Sequence, residues 1–122
     1  MTPTSARDQR YYPDRVTWAD AGLANALRSG ATNHPSFKTD GASDIEVDLN
    51  VTAAAGGGSL ILSLETSLDE GATWYQVGAF SAKTGAGTDK KLFGPVGPDC
   101  RLVSTITGTS VTYDVTVKAK LG

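Results

Sequence analysis

The side chains best suited to nucleophilic chemistry in this chain are its single cysteine and single histidine, Cys100 and His34. An imidazole can activate a thiol as a nucleophile, but a third group must hold the imidazole in place. Cys100 opens an apolar run, and His34 precedes Pro35, where a turn is expected. The pattern favours a buried structural thiol over a Cys–His dyad. A lone cysteine also excludes an intrachain disulfide and a multi-cysteine metal site.

Two pairs of carboxylates resemble the acid–base machinery of a glycosidase, which needs two carboxyl groups facing each other across a cleft. Asp69 and Glu70 are adjacent in a turn, so their side chains diverge. Glu46 and Asp48 share one face of a predicted strand about 7 Å apart, a spacing that a solvated sheet face also produces. Asp69 and Glu70 supply too few oxygens for calcium. We therefore predict no enzyme activity, no catalytic residue, no metal and no cofactor.

Motifs for anionic ligands are weak. The triple glycine at residues 56–58 is followed by a β-prone run, whereas a phosphate loop needs a helix N-terminus there. Lys90, Lys91 and Phe93 form one basic–aromatic cluster instead of the basic stripe that nucleic-acid binding requires. The net charge of −2 gives no long-range attraction to nucleic acid or to an anionic membrane. We expect neither as a partner.

Three neighbouring aromatic residues, Trp74, Tyr75 and Phe80, are the candidates for a sugar-binding face. Alternation along a strand does not say which side is buried. Trp74 and at least one of the other two are expected to pack in the core. A glycan contact at these side chains stays open as an alternative.

Charge is unevenly distributed along the 122 residues. Residues 40–70 contain seven acidic and no basic side chains, whereas residues 83–120 contain six basic and three acidic ones. This pattern is typical of solvated strand faces, and it would also suit a surface through which copies or partners attract one another. The chain starts without an apolar leader and lacks a run of roughly 20 apolar residues. We therefore expect synthesis in a reducing cytoplasm.

From residue 45 onward the hydrophobic pattern has the period of two that marks β-strands. Ile45, Val47, Leu49 and Val51 alternate with polar residues. Strands are predicted at residues 45–52, 60–64, 73–80, 89–93, 100–107 and 111–121, with turns at 53–58, 81–87, 94–98 and 108–110. Short strands joined by glycine-rich turns predict an all-β fold, an antiparallel β-sandwich of the jelly-roll or Ig-like type.

The segment before residue 45 has a less regular pattern. Trp18, Leu23 and Leu27 could form a helical stripe, but a glycine and an asparagine interrupt it. We therefore favour strand or irregular structure for residues 16–30. A turn is predicted at residues 33–35, because the residue before a proline avoids the helical region.

Residues 1–15 show no periodicity and are predicted to form an extended N-terminal arm, ahead of a single β-sandwich domain at residues 16–122. The arm contains a Tyr-Tyr pair, whereas disordered tails are usually poor in aromatic residues. Tyrosine and arginine are enriched in the hot spots of protein interfaces. Partner contacts are therefore expected from five residues of the arm: Arg7, Arg10, Tyr11, Tyr12 and Arg15.

The most specific local motif is S-x-D-x-G-x-T-W, formed by Ser67, Asp69, Gly71, Thr73 and Trp74. An Asp side chain accepts hydrogen bonds from nearby backbone N–H groups, glycine provides the positive φ of a tight reversal, and Thr and Trp restart a strand. The motif resembles the Asp-box hairpin of sialidase-type propellers, which is a structural turn. One copy cannot build a propeller, which needs about four blades or more.

This hairpin and three later motifs together resemble a group of tailed-phage virion proteins. The later motifs are F-G-P-x-G-P at residues 93–98, Arg101 at the start of an apolar strand, and G-T-S-x-T-aromatic at residues 108–113. The resemblance covers about residues 45–122. It implies a small β-sandwich that sits on a phage particle as a head decoration (cement) protein, without catalytic residues.

We therefore expect a structural virion protein that binds the outside of a phage head and stabilises it. Its expected partners are the major capsid protein and neighbouring copies of itself, and its site of synthesis is the host cytoplasm. Two alternatives remain open: a tail or baseplate component of the same virion, and a carbohydrate-binding β-sandwich module.

Overall fold

The computed structural model describes residues 15–17 and 22–120. Within these ranges the chain forms eight strands and no helix. The strands are β1 (Arg15–Thr17), β2 (Leu23–Asn33), β3 (Phe37–Lys38), β4 (Asp44–Ala55), β5 (Ser59–Ser67), β6 (Tyr75–Ala79), β7 (Gly87–Phe93) and β8 (Asp99–Lys120). Every strand pairing is antiparallel. The predicted all-β antiparallel fold is confirmed.

Strand β8 is the central strand of the sheet, and other strands pair with it on both of its edges. On one side β4 pairs with its C-terminal half and β5 with its N-terminal half, so that Ala55 lies opposite Ser110 and Ser59 opposite Thr107. On the other side β1, β2 and β3 pair with β8 in succession. The sheet therefore contains three long adjacent paths of chain, β8 and one antiparallel path on either side of it, and each runs the full length of β8.

The three paths bend at one line, where each carries a glycine with left-handed φ. These glycines are Gly30, Gly57 and Gly108, with φ values of 72°, 73° and 76°. We call this line the crease. A Cβ on Gly108 would overlap the backbone of Gly57, so the crease requires glycine both for its φ and for its close backbone approach.

Folding at the crease brings the outer strands of the sheet together. The strand order is β6-β5-β8-β4-β7. Across the gap between β6 and β7, the ring of Phe80, which follows β6, meets that of Phe93 edge to face, with centroids 5.6 Å apart. The Lys91 ammonium donates a hydrogen bond of 3.0 Å to the carbonyl oxygen of Ala79. The sheet is thus nearly closed, like a barrel.

The interior is filled by alternate residues of the long strands. Ile45, Val47, Leu49 and Val51 of β4 are buried, as the period of two predicts. They lie beside the buried residues of the neighbouring strand β8, and both sets belong to one core cluster with those of β5: Val111, Tyr113, Val115 and Val117 of β8, and Leu60, Leu62 and Leu64 of β5. Each such side chain contributes roughly 1.5–3 kcal/mol by leaving water. Burial of this apolar surface holds the folded sheet together.

The turn predicted at residues 108–110 is wrong. Strand β8 continues through this segment as one strand of 22 residues. Gly108 bends the strand without reversing it, and both halves keep the same neighbouring paths on either side. The loop predicted at residues 53–58 is also shorter than expected, because β4 extends to Ala55.

The turn predicted at residues 33–35 is wrong as well. Asn33 pairs with Val103 and Phe37 with Cys100, so the chain continues in one direction along β8. The helical alternative does not apply to residues 23–30, which belong to β2. The Arg28 side chain fastens this strand by donating a hydrogen bond of 2.7 Å to the carbonyl oxygen of Tyr113. Pairing with β8 therefore decides the structure of β2.

The predicted arm falls almost wholly on residues 1–14, which lie outside the described residues, as do Arg7, Arg10, Tyr11 and Tyr12. Arg15 is the first residue of β1 and lies opposite Lys120 of β8. Strand β1 thus lies at the end of the sheet that is furthest from the crease.

The segregated charges meet within the chain across neighbouring strands. Glu46 lies directly opposite Lys118, and Glu65 lies opposite Arg101. The Lys118 ammonium is 3.1 Å from an oxygen of Asp48, and Arg101 is 2.8 Å from Glu65. Such cross-strand pairs each contribute roughly 0.2–1 kcal/mol. They account for the strand acids as intrachain partners of β8. Glu46 is buried in this arrangement, so it does not lie on the solvated strand face that the charge pattern predicts.

Substitution of Gly108 by alanine is predicted to lower the free energy of unfolding by at least about 2 kcal/mol, since it combines a left-handed φ with overlap onto Gly57. Chemical denaturation measures this change. Gly85→Ala is the control, because a Cβ there meets nothing within 4 Å, and its effect should stay within about 0.5 kcal/mol. Equal effects of the two substitutions would contradict the role of the crease.

Candidate binding groove

The S-x-D-x-G-x-T-W motif forms a tight corner between β5 and β6. The buried Ser67 hydroxyl accepts a hydrogen bond of 2.8 Å from the Gly71 N–H and donates one of 2.8 Å to the Asp69 carboxylate. The same carboxylate oxygen accepts a bond of 2.8 Å from the Thr73 N–H. These bonds hold the pKa of Asp69 below its usual value, first through Ser67 and then through Thr73. The Asp69 carboxylate therefore stabilises the turn.

Trp74 closes this corner against the sheet. Its half-buried ring lies against Gly71 and beneath the Arg101 guanidinium, whose central carbon is 4.4 Å from the ring centroid. Arg101 is fixed in turn by Glu65. A cation held over an indole in this way contributes roughly 0.5–1 kcal/mol near a surface, and here it fixes the orientation of the hairpin.

The second motif, residues 93–98, is bonded to the same hairpin strand. The Gly97 N–H donates a hydrogen bond of 2.8 Å to the Thr66 hydroxyl, which donates one of 2.8 Å to the carbonyl oxygen of Asp99. From the other side, the Thr39 hydroxyl donates a bond of 2.7 Å to the carbonyl oxygen of Gly97. Two segments far apart in sequence are therefore held side by side.

Between these two segments lies a groove of about 430 Å³. Its lining residues include Leu68 of the hairpin, Tyr75 and Val77 of β6, and Pro95 and Val96 of the corner. The groove continues the gap between β6 and β7, beyond the point where Gly78 packs against the ring of Phe93. The groove is therefore the open part of the gap, or seam, that remains between β6 and β7 in the folded sheet. We call it the seam groove.

Two large apolar side chains of the seam groove remain in water. Leu68 is 70% exposed and Tyr75 is 57% exposed. Both line the groove together with Val77 and Val96, which are half-buried. Single exposed apolar residues are ordinary, whereas a contiguous apolar groove with polar surroundings is typical of a binding surface. Both motifs of the sequence thus contribute to a surface suited to an apolar ligand segment.

The aromatic triplet proposed for sugar binding is split between different environments. Phe80 is buried in the core, Trp74 is half-buried under Arg101, and Tyr75 alone of the three is exposed. The expectation that Trp74 and one other aromatic are removed from water holds for Phe80 and in part for Trp74. The three rings therefore form no common face.

A second, more polar depression of about 600 Å³ lies on the outer face of β4, β7 and β8. Its polar groups largely bind one another: the Asn50 amide donates a hydrogen bond of 3.1 Å to Asp114, and Asp48 contacts Lys118. Glu46 and Asp48, the second carboxylate pair, therefore share one lysine. They do not face each other across a cleft, as glycosidase chemistry requires.

Cys100 and His34, the candidates for nucleophilic chemistry, both have structural positions. Cys100 is fully buried, and burial raises the pKa of its thiol to about 11, so the reactive thiolate is scarce at neutral pH. Its sulfur lies 3.6 Å from the Thr66 hydroxyl. His34 instead lies 3.0 Å from the Ser104 hydroxyl and 3.4 Å from that of Tyr113. Cysteine and histidine thus bind different partners.

Neither a metal cluster nor a membrane-spanning helix is found in the described part of the chain. Among these residues, no three His, Cys, Asp or Glu side chains are grouped as metal ligands. No helix there is long and apolar enough to cross a bilayer. Lys90, Lys91 and Phe93 lie on β7, where Lys91 is held by Ala79. The seam groove remains the feature best suited to binding.

Ser67→Ala is predicted to lower the free energy of unfolding by about 1–3 kcal/mol, because the half-buried Gly71 N–H loses its acceptor, the hydroxyl of the buried Ser67. Thermal and urea denaturation measure the loss. Thr84→Ala, in an exposed loop, is the matched control and should change stability little. If Ser67→Ala were as mild as the control, the hydrogen bonds at this corner would not hold the hairpin.

His34 is predicted to make stability fall as the pH decreases. Burial, followed by the nearby Arg28, lowers its pKa from 6.5, so the unfolded chain takes up the proton first. Stability is therefore full above about pH 6.5 and declines below it toward the lowered pKa, by at most about 1.4 kcal/mol per pH unit. Urea denaturation between about pH 7.5 and 5.5 should show this slope in the wild type and lose it in His34→Gln. An unchanged slope in the variant would refute the assignment.

Comparison with known proteins concerns the fold alone. No protein-family model matches the chain, and no curated protein sequence matches it. A solved crystal structure of a protein called PirA is similar, with a TM-score of 0.51 and 16% sequence identity, over 88% of this chain and 95% of that chain. At this identity the similarity establishes a shared antiparallel β architecture and nothing about activity.

Proposed function

We propose that this protein is a structural virion protein, a decoration (cement) protein that binds the outside of a phage head and stabilises it. Its partners in this proposal are the major capsid protein and neighbouring copies of itself. The motifs shared with tailed-phage virion proteins support the proposal. The observation that carries it is the location of the seam groove at the end of the fold where β1 begins.

That location follows from the strand register. Arg15 lies opposite Lys120, and Lys120 lies opposite Asp44. Next to Asp44, the Val96 N–H donates a hydrogen bond of 3.0 Å to the carbonyl oxygen of Ser43. The start of β1 and a wall of the groove therefore belong to the same end of the molecule. We call it the docking end, and we propose that it faces the shell.

In this proposal the fold is a β-sandwich of the jelly-roll or Ig-like type, at residues 16–122, and residues 1–15 are an extended arm. The two halves of the creased sheet are its two layers. The arm contacts its partners, the shell and neighbouring copies, through Arg7, Arg10, Tyr11, Tyr12 and Arg15, since arginine and tyrosine dominate interface hot spots.

Stabilisation of the head would then follow from mass action. A protein that binds the assembled shell and not its free subunits lowers the free energy of the assembled state. Many copies that also contact one another add avidity, so each contact needs only modest strength. A rigid all-β domain with a short docking end meets both requirements.

Two alternative functions remain open for the same fold. A tail or baseplate component would share the fold and differ in copy number. A carbohydrate-binding module would use Tyr75, which is exposed next to Trp74. Titration of Trp fluorescence with glycans distinguishes the second alternative, because a saturable shift that Tyr75→Ser abolishes would favour sugar binding.

Deletion of residues 1–14, which leaves β1 intact, is predicted to abolish binding to purified heads that lack this protein. Cosedimentation measures binding, and circular dichroism with urea denaturation tests whether the truncated chain folds. Leu27→Asp is the control, since Leu27 is exposed on β2, away from the docking end. Binding of the folded, truncated chain at full occupancy would refute the role of the arm.

A further inference from the structure

We infer that the seam groove receives the Tyr11–Tyr12 segment of a neighbouring copy of this chain. The inference rests on the proposed assembly function, because it takes the arm as a docking element. It assigns the two tyrosines to contact between copies and leaves the arginines of the arm to the shell.

The backbone beside the groove supports an extended occupant. β6 pairs with β5 along one edge, and among the described residues no strand pairs with its other edge. This free edge, at Tyr75, Gln76 and Val77, forms one wall of the groove. An unpaired edge binds an extended peptide through main-chain hydrogen bonds, while pockets beside it select alternate side chains. The groove thus has the form of a site for one added strand.

The side chains of the groove match an aromatic segment. Leu68, Tyr75, Pro95 and Val96 offer apolar and ring surfaces, on which tyrosine packs well and from which its hydroxyl can reach water. The segment 1–14 contains one adjacent aromatic pair, Tyr11 and Tyr12. Arg10 precedes the pair directly, and the exposed Glu70 lies two residues beyond Leu68, so opposite charges would meet at the rim.

The length of the tether identifies which copy supplies the segment. Tyr12 lies three residues before Arg15, which permits at most about 11 Å of extended backbone. β1, β8, β4 and β7 lie side by side at the docking end. Three strand spacings therefore place β1 about 14 Å from β7, before the groove begins. The segment of the same chain falls short along this route, so we assign the occupant to a second copy.

Sedimentation equilibrium of the full chain tests association between copies. The wild type should associate reversibly from the 12.6 kDa monomer. Tyr11→Ser with Tyr12→Ser, and separately Leu68→Asp, should weaken association by about ten-fold or more, as loss of an interface anchor does. Leu92→Asp, at an exposed apolar residue of β7 outside the groove, should leave it unchanged. A wild type that stays monomeric, or a Leu68→Asp chain that associates normally, would overturn the inference.

Disulfide trapping tests the contact itself. Full chains carrying Tyr12→Cys are mixed with size-tagged chains carrying Gln76→Cys, and mild oxidation is followed on non-reducing gels, since native Cys100 is buried. A mixed dimer is expected, and Leu92→Cys in place of Gln76→Cys should give none. Equal trapping at both positions would contradict the inference, and so would efficient closure within one chain that carries both Tyr12→Cys and Gln76→Cys at high dilution.

The two proposals fail in different measurements. If copies do not associate but the chain still requires residues 1–14 to bind heads, the groove assignment is wrong and the decoration role stands. If copies associate through the groove and heads are not bound, the decoration role is wrong and the contact between copies stands.

Discussion

The close backbone approach at the crease is the constraint on which the rest of the structure depends. Gly108 lies so near Gly57 that no side chain fits between them, and both residues adopt a left-handed φ. One long strand, β8, can therefore serve both halves of the sheet while its neighbours bend with it. Without this bend the apolar faces of β4, β5 and β8 would have no surface to cover them, and an open sheet of this size would expose its core.

The docking end is a consequence of the same fold. Because the three paths bend together, their far ends converge, and the hairpin at residues 67–74 comes to lie beside the corner at residues 94–98. The hydroxyls of Ser67, Thr66 and Thr39 then satisfy the backbone groups that these turns leave unpaired. Hydrogen bonds from polar side chains thus hold the two turns at this end, and the apolar side chains Leu68 and Tyr75 of the seam groove are exposed to solvent.

Local patterns predicted the local structure, and they failed where distant strands decide it. Alternation at residues 45–51 correctly gave a strand with one buried face, and the motif at Ser67 correctly marked a tight turn. The reversal predicted at Gly108 is wrong, because a positive φ is equally compatible with a bend inside a strand whose two sides stay paired. The seam groove gave no sequence signal, since it arises from which strands end up at the two outer edges. Leu68 and Tyr75 can be recognised as groove residues only once β6 is known to be one of the two outer strands of the sheet.

Whether this fold serves as a repeated part of a phage shell is tested most directly by its abundance there. Quantitative mass spectrometry of purified particles, relative to the major capsid protein, provides that number. Our account predicts a copy number comparable to that of the capsid protein. A handful of copies per particle would place the chain in the tail or baseplate, and its absence from particles would contradict the account.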